Sequence, residues 1–456
     1  MTQLSMGKHT KTHLKIFSGL SSFQILAMFR RGLFYTYLSL YMREFLYLSV
    51  FETTLYATLP MIMSIVFQNF VWGPISDKIQ RRRTLIVLGE ILAGIGTLIV
   101  WFIHFLLARA HISGYAINIW GITYSCLYIS GYVIIIGLSF VEMFWSMSNI
   151  GWSALISDLY PSQKRSKIMG QLTGLGGMGR IFGIFIGGLL YDNGFGFRNG
   201  PLFIVAASFM FISTIPMLLF SPEGGIDKEN EEELDISESN YNNNQKSITV
   251  FIIFIIALAA INFGRNSIAI PYSQYLSLEA GFNVDSVMLS FVTNSRSVAI
   301  LIIGFTAGAL SKKFGHSRTL IIGTLIGIIA LIITAITSYL SIIFLGSFLI
   351  GASEVLIYAS SYAIASILIP SRIRAKLFAV YNATFFLSWG IAGTLISGPI
   401  IDILLREGTS DLFAYQMGFF IAAIICLVGL LIFIGLEIWI KLEKSKVGKK
   451  IIINEY

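Results

Sequence analysis

The sequence predicts an all-α membrane protein, with twelve transmembrane helices arranged as two six-helix parallel repeats. The chain has 456 residues, of which 55% are hydrophobic and only 12% are charged. A soluble domain carries about 25% charged residues. The mean hydropathy is +0.77, and apolar runs of helix length recur along the chain. Most of the chain is therefore expected to lie in lipid.

Twelve apolar segments are long enough to span a bilayer, which takes about 20 residues in a helix. We predict spans at 17–42, 51–76, 84–107, 127–158, 167–191, 201–220, 248–277, 284–310, 318–338, 341–368, 375–404 and 412–440. The segment 108–126 is apolar too, but Gly114 and Asn118 interrupt it. We interpret it as an outer loop with room for an interfacial helix, and a thirteenth span is the competing interpretation.

The basic residues predict the topology. If the N-terminus lies inside, the outer loops hold only Arg43, Arg109, Arg198 and Arg406, while most other lysines and arginines fall on the inside. Cytoplasmic loops are enriched in Lys and Arg. We therefore predict a multi-pass protein of the cell membrane with both termini cytoplasmic. The net charge of +8 follows from this pattern and does not indicate nucleic-acid binding.

One polar segment divides the chain. Residues 221–247 are acidic, rich in asparagine and nearly free of aromatic residues, which is typical of a flexible linker. The predicted domains are a cytoplasmic tail (1–16), a six-helix bundle (17–220), the cytoplasmic linker, a second six-helix bundle (248–440) and a cytoplasmic tail (441–456).

Short motifs recur in the same order in both halves. The matched segments are 29–32 with 263–266, 73–78 with 308–313, 83–85 with 318–320, and 188–192 with 398–402. Because the order is kept, the halves are predicted to be parallel repeats. Such repeats place a binding site near the membrane midplane between them.

The loop between spans two and three carries a signature. From Gly73 to Arg82 it reads G-x-x-x-D-K-x-Q-R-R, which resembles the pattern G-x-x-x-D-[RK]-x-G-R-[RK] of the major facilitator superfamily, with Gln80 in place of a glycine. A second copy begins at Gly308 and has Lys312 in place of the acid.

This resemblance implies the major facilitator fold and a secondary transporter that works by alternating access. It assigns Gly73, Asp77, Arg81 and Gly308 to a conformational motif rather than to substrate binding. Gly73 would allow close helix packing, and Asp77 would cap a helix or pair across an interface. The competing interpretation is an ordinary basic loop.

A second pattern lies in span five, where Gly179, Gly183 and Gly187 recur every four residues. The spacing resembles the glycine signature of proton-driven exporters, with Ile184 where that family has proline. Small residues at this spacing let helices approach closely, so a simple packing face is the competing interpretation.

Charged residues inside the predicted spans are candidates for a functional site. They are Arg30, Arg31, Arg180, Arg265 and Arg296, against Glu90, Glu142 and Glu354. Buried ionisable groups are expensive and normally face a cavity or a partner. Arg31 and Arg265 occupy matching repeat positions, which resembles the arginine pair of organic-phosphate exchangers in the superfamily. We predict an anion clamp across the central cavity; structural pairing with glutamate is the alternative.

Glu142 and Glu354, on spans four and ten, are the predicted proton-coupling residues. Each begins a polar helix face, and a carboxylate in a cavity can bind and release a proton. A salt bridge that locks the fold is the competing interpretation. Glu90, one turn inside span three, is predicted to form an interface pair.

Span seven is unusually polar. Asn262, Asn266 and Gln274 lie along it, and Pro271 is expected to kink it. With Tyr35 of span one, these three polar residues complete the predicted substrate-binding set.

The leading hypothesis is a secondary transporter, coupled to protons or to exchange, for a small solute such as an organic anion. The alternatives are a proton-driven exporter of lipophilic compounds and a non-transporting membrane sensor. No metal-ligand, nucleotide-binding or hydrolase motif is present in the sequence, so we expect no enzyme, no cofactor and no metal. The expected partners are the substrate and the lipid bilayer, with the monomer as the functional unit.

Overall fold

The computed structural model describes the backbone of residues 2–119, 121–160, 162–225, 244–369 and 374–453. Helices occupy most of these ranges, so the all-α fold class is confirmed; the exceptions are short connections and two β-strands. Residues 226–243 of the predicted linker lie outside the described residues.

The helices and strands of the first half differ little from the predicted spans. In chain order they are α1 (Thr2–Glu44), α2 (Val50–Phe67), α3 (Gly73–Ile79), α4 (Arg82–Ile112), β1 (Ala116–Ile119), β2 (Ile122–Ser125), α5 (Cys126–Leu159), α6 (Ser162–Tyr191), α7 (Phe195–Arg198) and α8 (Pro201–Phe220). A five-residue π-helical turn, Gln68–Trp72, joins α2 to α3.

The second half follows the same plan. Its elements are α9 (Asn244–Ser267), α10 (Pro271–Ser277), α11 (Ser286–Phe314), α12 (His316–Ile336), α13 (Leu340–Leu368), α14 (Arg374–Ala392), α15 (Gly398–Arg406) and α16 (Asp411–Ile453). A second π-helical turn, Gly393–Ser397, joins α14 to α15.

Within the described residues, 11 helical segments are long and apolar enough to cross a membrane. They coincide with predicted spans two to twelve. The first predicted span, 17–42, lies inside the 43-residue helix α1. Gln24, Arg30 and Arg31 lower the hydropathy of that helix, so it is not among the 11, and its place as the twelfth span stays a prediction.

The segment between α4 and α5 is an antiparallel β-hairpin. Gly114, with φ +79°, ends the helical path after α4, and Gly121, with φ +85°, lies in the turn between the strands. The strands pair from Ala116 opposite Ser125 to Ile119 opposite Ile122. The predicted loop is therefore correct, whereas the interfacial helix and the thirteenth span are wrong, because alternating polar and apolar residues favour a strand.

Proline marks a break in span seven, whereas Pro60 and Pro216 lie inside continuous helices. α9 ends at Ser267 and α10 begins at Pro271, so the predicted kink in span seven is confirmed. Both π-helical turns stand directly before a Gly-Pro pair, at Gly73 and Gly398. Proline has no N–H to donate and clashes with the preceding turn, and a widened turn relieves that conflict.

The described residues form two compact units. Unit 1 contains α1–α8 together with Asn283–Asn294, and unit 2 contains α9, α10, the rest of α11 and α12–α16. The start of α11 is grouped with unit 1 because the Ser286 hydroxyl donates to the Gly188 carbonyl at 2.8 Å, and the Asn294 amide donates to the Ile181 carbonyl at 3.1 Å.

Each unit has its own hydrophobic core. In unit 1 the core joins α1, α4, α5, α6 and α8, and in unit 2 it joins α9, α12, α13, α14 and α16. The central residues are Leu20, Ile86, Leu155 and Met217 in unit 1, and Phe254, Leu320, Tyr381 and Phe433 in unit 2. The charged side chains described next lie among these apolar helices.

Candidate functional site

A buried ion pair connects α1 to α4 in unit 1. Arg30 Nη1 lies 2.7 Å from Glu90 Oε2, and both side chains are almost fully buried. The other Glu90 oxygen accepts hydrogen bonds at 2.9 Å from Trp145 Nε1 and from the Ser148 hydroxyl, both on α5. Glu90 thus holds three helices together, and its predicted role as an interface pair is confirmed.

Arg31 has a different environment from its neighbour Arg30. Both guanidinium carbons lie 4.3 Å from the ring centroid of Trp145, which is the geometry of a cation–π contact. Among the described residues Arg31 makes no ion pair within 4 Å, but it interacts electrostatically with Glu142. Its charge is therefore only loosely compensated.

Glu142 forms no salt bridge within 4 Å among the described residues, unlike Glu90. It is half-buried on α5, and its carboxylate interacts with Arg31 at longer range and with the hydroxyl of Ser64 on α2. Tyr35 lies near the same group and stacks on Tyr56, with ring centroids 6.1 Å apart. This arrangement can hold or release a proton without breaking a close ion pair.

In unit 2 a single carboxylate serves two arginines. Glu354 Oε2 on α13 lies 2.6 Å from Arg296 Nη2 and 3.4 Å from Arg265 Nη1. Arg296 Nε also donates to the same oxygen at 3.1 Å. Glu354 therefore forms the salt bridge that the sequence left as an alternative, and one positive charge of the cluster has no acid of its own.

Arg265 has unused hydrogen-bonding capacity. Its side chain is 5% exposed, and its Nε atom has no hydrogen-bond partner among the described residues. Nη1 is shared with Glu354 at 3.4 Å, and Nη2 donates to the Asn262 side-chain oxygen at 3.4 Å. Buried donors without partners are costly, so this guanidinium is poised to receive an acceptor.

The other predicted substrate residues of span seven bond to neighbouring helices. The amide of Asn262 donates to Thr384 at 3.3 Å, and that of Asn266 donates to Ser388 at 2.9 Å, both on α14. Gln274 accepts a hydrogen bond at 2.9 Å from the Tyr415 hydroxyl on α16. These contacts fix α9 and α10 within unit 2.

The signature loop is organised by Arg82, a residue missing from the predicted site. Arg82 is 3% exposed; its Nε lies 3.2 Å from Asp158 at the end of α5, and Nη2 lies 3.4 Å from the exposed carboxylate of Asp77. Arg81, which we predicted in this role, is exposed. The sequence alone could not show which arginine of the basic run is buried, because the partner Asp158 lies far away along the chain.

The departure from the signature at Gln80 has a structural counterpart. Gln80 ends α3 in the left-handed conformation with φ +59°, which favours glycine. Its side chain donates to the Asp77 carbonyl at 2.8 Å and accepts from Arg82 at 3.2 Å. In the second copy Gly315 stands at the matching position with φ +91°, so the chain keeps glycine there.

The two glycines of the conformational motif differ in their surroundings. A Cβ atom on Gly73 would lie 2.8 Å from the Gln68 carbonyl oxygen inside the π-helical turn, whereas a Cβ atom on Gly308 would meet no described atom within 4 Å. Close packing therefore explains Gly73 and does not explain Gly308.

The glycines of span five form a packing surface for α1. A Cβ atom on Gly179 would overlap the Ile25 carbonyl, and one on Gly183 would overlap the Phe29 carbonyl. At Gly187 it would lie 2.6 Å from the Leu33 carbonyl. The repeat of four residues on α6 thus meets a repeat of four on α1, two residues away from Arg31.

Buried charge clusters within bundles of membrane-spanning helices are typical of membrane proteins with substrate, ion or proton paths. The sequence matches the profile of the Major Facilitator Superfamily over residues 20–264 and again over 253–450. The chain belongs to this superfamily, as the signature loop indicated.

The chain is similar in sequence to named transporters of the superfamily. It is 25% identical over 252 residues to "Multidrug resistance protein MdtG" of Citrobacter koseri, a match that covers 54% of this chain and 60% of that protein. It is 23% identical over 249 residues to "Multi-drug resistance efflux pump PmrA" of Streptococcus pneumoniae, covering 54% of this chain and 61% of that protein. The chain thus spans about three fifths of the length of these curated relatives.

Solved structures with the same fold cover nearly the whole chain. A bacterial homologue of the human lysosomal transporter Spinster, inward-facing and unoccupied, gives a TM-score of 0.67 at 13% identity, over 92% of this chain and 96% of that one. The nucleoside transporter NupG gives 0.68 at 13% identity, over 92% and 98%. At this identity the likeness establishes the fold alone.

Proposed function

We propose that this chain is a secondary active transporter that moves a small organic solute across the cell membrane by alternating access. The observation that supports this function is the presence of a buried charge cluster inside each unit, around Arg31 and Glu142 and around Arg265 and Glu354. Charges within the bilayer are expensive and are retained mainly along substrate, ion or proton paths.

The proposal includes the topology and organisation expected from the sequence. Two six-helix bundles, 17–220 and 248–440, are joined by the linker 221–247, and both termini are cytoplasmic. The monomer is the working unit. Gly73, Asp77, Arg81 and Gly308 keep their proposed part in the conformational change, with Arg82 added as the buried member of the motif.

We assign the coupling proton to Glu142 in preference to Glu354. Protonating Glu354 would leave Arg265 and Arg296 without an acid within 4 Å among the described residues, and a buried cation such as Arg265 is costly without its partner. Glu142 is in no such pair among the described residues. Its protonation state can therefore change at a lower structural cost.

Transport by purified protein in sealed vesicles tests this assignment. Glu142→Gln should abolish uptake driven by a pH gradient while counterflow exchange of labelled substrate continues. Glu354→Gln is the matched comparison and should lower the thermal stability of the protein, because it leaves two buried arginines. If Glu142→Gln keeps full pH-driven flux, the assignment to Glu142 is wrong.

The same proposal gives the substrate an anionic group that contacts Arg31 and Arg265. The unpartnered Nε donor of Arg265 and the single carboxylate that Arg265 shares with Arg296 support this, because a carboxylate or phosphate accepts paired hydrogen bonds from a guanidinium fork. Lysine keeps the charge and loses that geometry. Arg31→Lys and Arg265→Lys should each weaken anion binding about tenfold, which corresponds to about 1.4 kcal/mol.

Export of lipophilic compounds is the second candidate function. The printed names of the two sequence relatives, a multidrug resistance protein and a multidrug efflux pump, favour it, and so do the aromatic rings of Tyr35, Tyr56 and Trp145 beside the charges of unit 1. In this function the arginines would be structural.

A ligand-stabilisation screen separates the two candidates. Purified protein is heated with organic anions, phosphates, sugars and lipophilic drugs, and the same series is repeated with Arg31→Lys and Arg265→Lys. Stabilisation by anions that both variants lose supports the anion transporter. Stabilisation by lipophilic drugs that both variants keep supports the exporter. A ligand that binds but shows no flux in vesicles would instead indicate a membrane sensor.

A further inference from the structure

The β-hairpin between α4 and α5 has one apolar and one polar face. Residues on opposite strands that pair directly lie on the same face of a sheet, and the face alternates with each residue. Ile117 pairs with Tyr124, and Ile122 lies two residues before Tyr124 on that face. The other face carries Asn118 paired with Thr123, and Ala116 paired with Ser125.

The apolar face is not fully covered by the protein. Ile122 is 58% exposed, while Ile117 and Tyr124 are half-buried. Tyr124 stacks on Tyr128 of α5, with ring centroids 6.0 Å apart. A two-stranded hairpin has marginal stability in water by itself, so a second surface is needed to hold this face.

The chain fixes where the hairpin must lie. β2 ends at Ser125, directly before α5 begins at Cys126, and only three residues separate α4 from β1. Since α4 and α5 both have the length and composition of membrane-spanning helices, their shared end lies at a membrane surface. The Ser125 hydroxyl also contacts His111 Nδ1 at 3.2 Å, which ties the end of β2 to the last turn of α4.

A lipid-facing surface leads directly to the hairpin. The outer face of α4 carries exposed apolar side chains at helical spacing, at Leu88, Leu92, Ile95, Ile99, Phe102 and Leu106. The exposed apolar surface continues past the end of the helix with Ile112 and Tyr115. Contiguous exposed apolar surface of this extent marks a membrane or partner contact, and tyrosine is enriched at membrane interfaces.

The lack of charged residues in this segment indicates which kind of surface it can contact. From Ile112 to Val141 the sequence contains no Asp, Glu, Lys or Arg. The hairpin can therefore approach the interfacial region of a bilayer without desolvating a charge, and it has no basic residue with which to select anionic headgroups.

We propose that the hairpin Ala116–Ser125 is a membrane anchor whose apolar face rests in the interfacial layer of the bilayer. It lies on the membrane side opposite to the signature loop, because α4 begins beside that loop and crosses the membrane. Ile122 and Tyr124 face lipid, and Thr123 faces water.

Spin labelling at adjacent positions tests the proposal. Both native cysteines are buried, so a nitroxide label added to the folded protein reacts with an introduced cysteine. Ile122→Cys and Thr123→Cys are matched variants on opposite faces, and each is reconstituted into vesicles of a neutral phosphatidylcholine. The label at 122 should collide with oxygen several-fold more often than the label at 123 does. The label at 123 should collide with a water-soluble nickel chelate several-fold more often than the label at 122 does.

Tyr124→Cys gives a second position on the apolar face, and its label should behave like the label at 122. It provides the test if the Ile122→Cys variant folds poorly. Replacing part of the lipid by an anionic one should leave the pattern unchanged. Equal exposure of 122 and 123 to the nickel chelate would overturn the anchor, as would shielding of position 122 from both reagents, since that would mean a protein cover. A pattern that requires anionic lipid would also overturn it.

Discussion

At the scale of single residues, adjacent arginines in this protein have very different environments. Arg81 is exposed, whereas Arg82 is buried between Asp158 and the hydroxyl of Ser76. Arg30 is locked to Glu90, whereas Arg31 has only a cation–π contact and a distant acid. Arg30 and Arg31 share the ring of Trp145, so the nearest carboxylate is what distinguishes them.

Replacing the two arginines of the signature loop should separate a structural residue from an exposed one. Arg82→Ala leaves Asp158 without its cation, and breaking a buried pair of this kind costs about 3–5 kcal/mol. Arg81→Ala, the matched control, should change the free energy of unfolding by less than about 0.5 kcal/mol, as expected for an exposed site. Thermal unfolding in detergent measures both variants. Equal losses would mean that Arg82 does not organise the loop.

The difference between Arg81 and Arg82 also shows where sequence reasoning stops. The spacing of the signature identified the loop, because Gly73 and the basic run are local features. The partner of Arg82 is Asp158, 76 residues away, and nothing local indicates which arginine faces it. Glu90 was predicted as an interface pair from its depth in span three, but its partners Arg30 and Trp145 required the packing of three helices.

At the scale of elements, the contact between α1 and α6 depends on glycine. Gly179, Gly183 and Gly187 bring the backbone of α6 against the carbonyl groups of α1. Arg31 and Tyr35 lie on the same helix as these carbonyls, so the close approach also sets the position of the charged cluster in unit 1.

A methyl group added to this stripe should destabilise the protein. Gly183→Ala would force the new Cβ against the Phe29 carbonyl, and overpacking typically costs about 1–3 kcal/mol. Gly177→Ala on the same helix is the matched control, since a Cβ there meets no described atom within 4 Å. The control should gain up to about 1 kcal/mol from helix propensity. Similar thermal stabilities for both variants would contradict the proposed packing role.

Helix boundaries were predictable wherever composition changes sharply. The predicted span 201–220 coincides with α8, because Pro201 starts the helix and the apolar run ends at Phe220. The segment 108–126 was predicted as an outer loop, but the hairpin within it was missed because the alternation of polar and apolar residues was not weighed. The π-helical turn Gln68–Trp72 has no sequence signal beyond the following Gly-Pro pair.

At the scale of the whole molecule, both repeated units contain buried arginine and glutamate residues, but the ion pairs between them differ. Unit 1 compensates Arg30 and Arg31 with two acids, Glu90 and Glu142, whereas in the described part of unit 2 Arg265 and Arg296 share Glu354. If the protein works by alternating access, a proton would therefore act mainly on Glu142 in unit 1, and an anion would add to the charge compensation of Arg265 and Arg296 in unit 2.

The topology proposal makes a prediction for the intact protein in cells. Cysteines introduced at Ser113, Ser239 and Ser445 are tested with a reagent that cannot cross the membrane. Ser113 should be labelled from outside, whereas Ser239 and Ser445 should be labelled only after the membrane is opened, because the basic loops mark the cytoplasmic side. Outside labelling at Ser239 or Ser445 would contradict the proposed orientation.

The π-helical turn Gln68–Trp72 takes up one extra residue before the signature loop. Trp72 in this turn donates its indole N–H to the Met143 carbonyl on α5 at 2.7 Å, which holds the turn in place. A π turn accommodates one residue more than an α-helical turn, and each helical residue advances about 100°. Deleting one residue from 68–72 would restore a regular helix and leave Asp77 on the side of Arg82, because the widened turn already takes up the extra residue. A single-codon deletion here would therefore remove the π turn without rotating the loop.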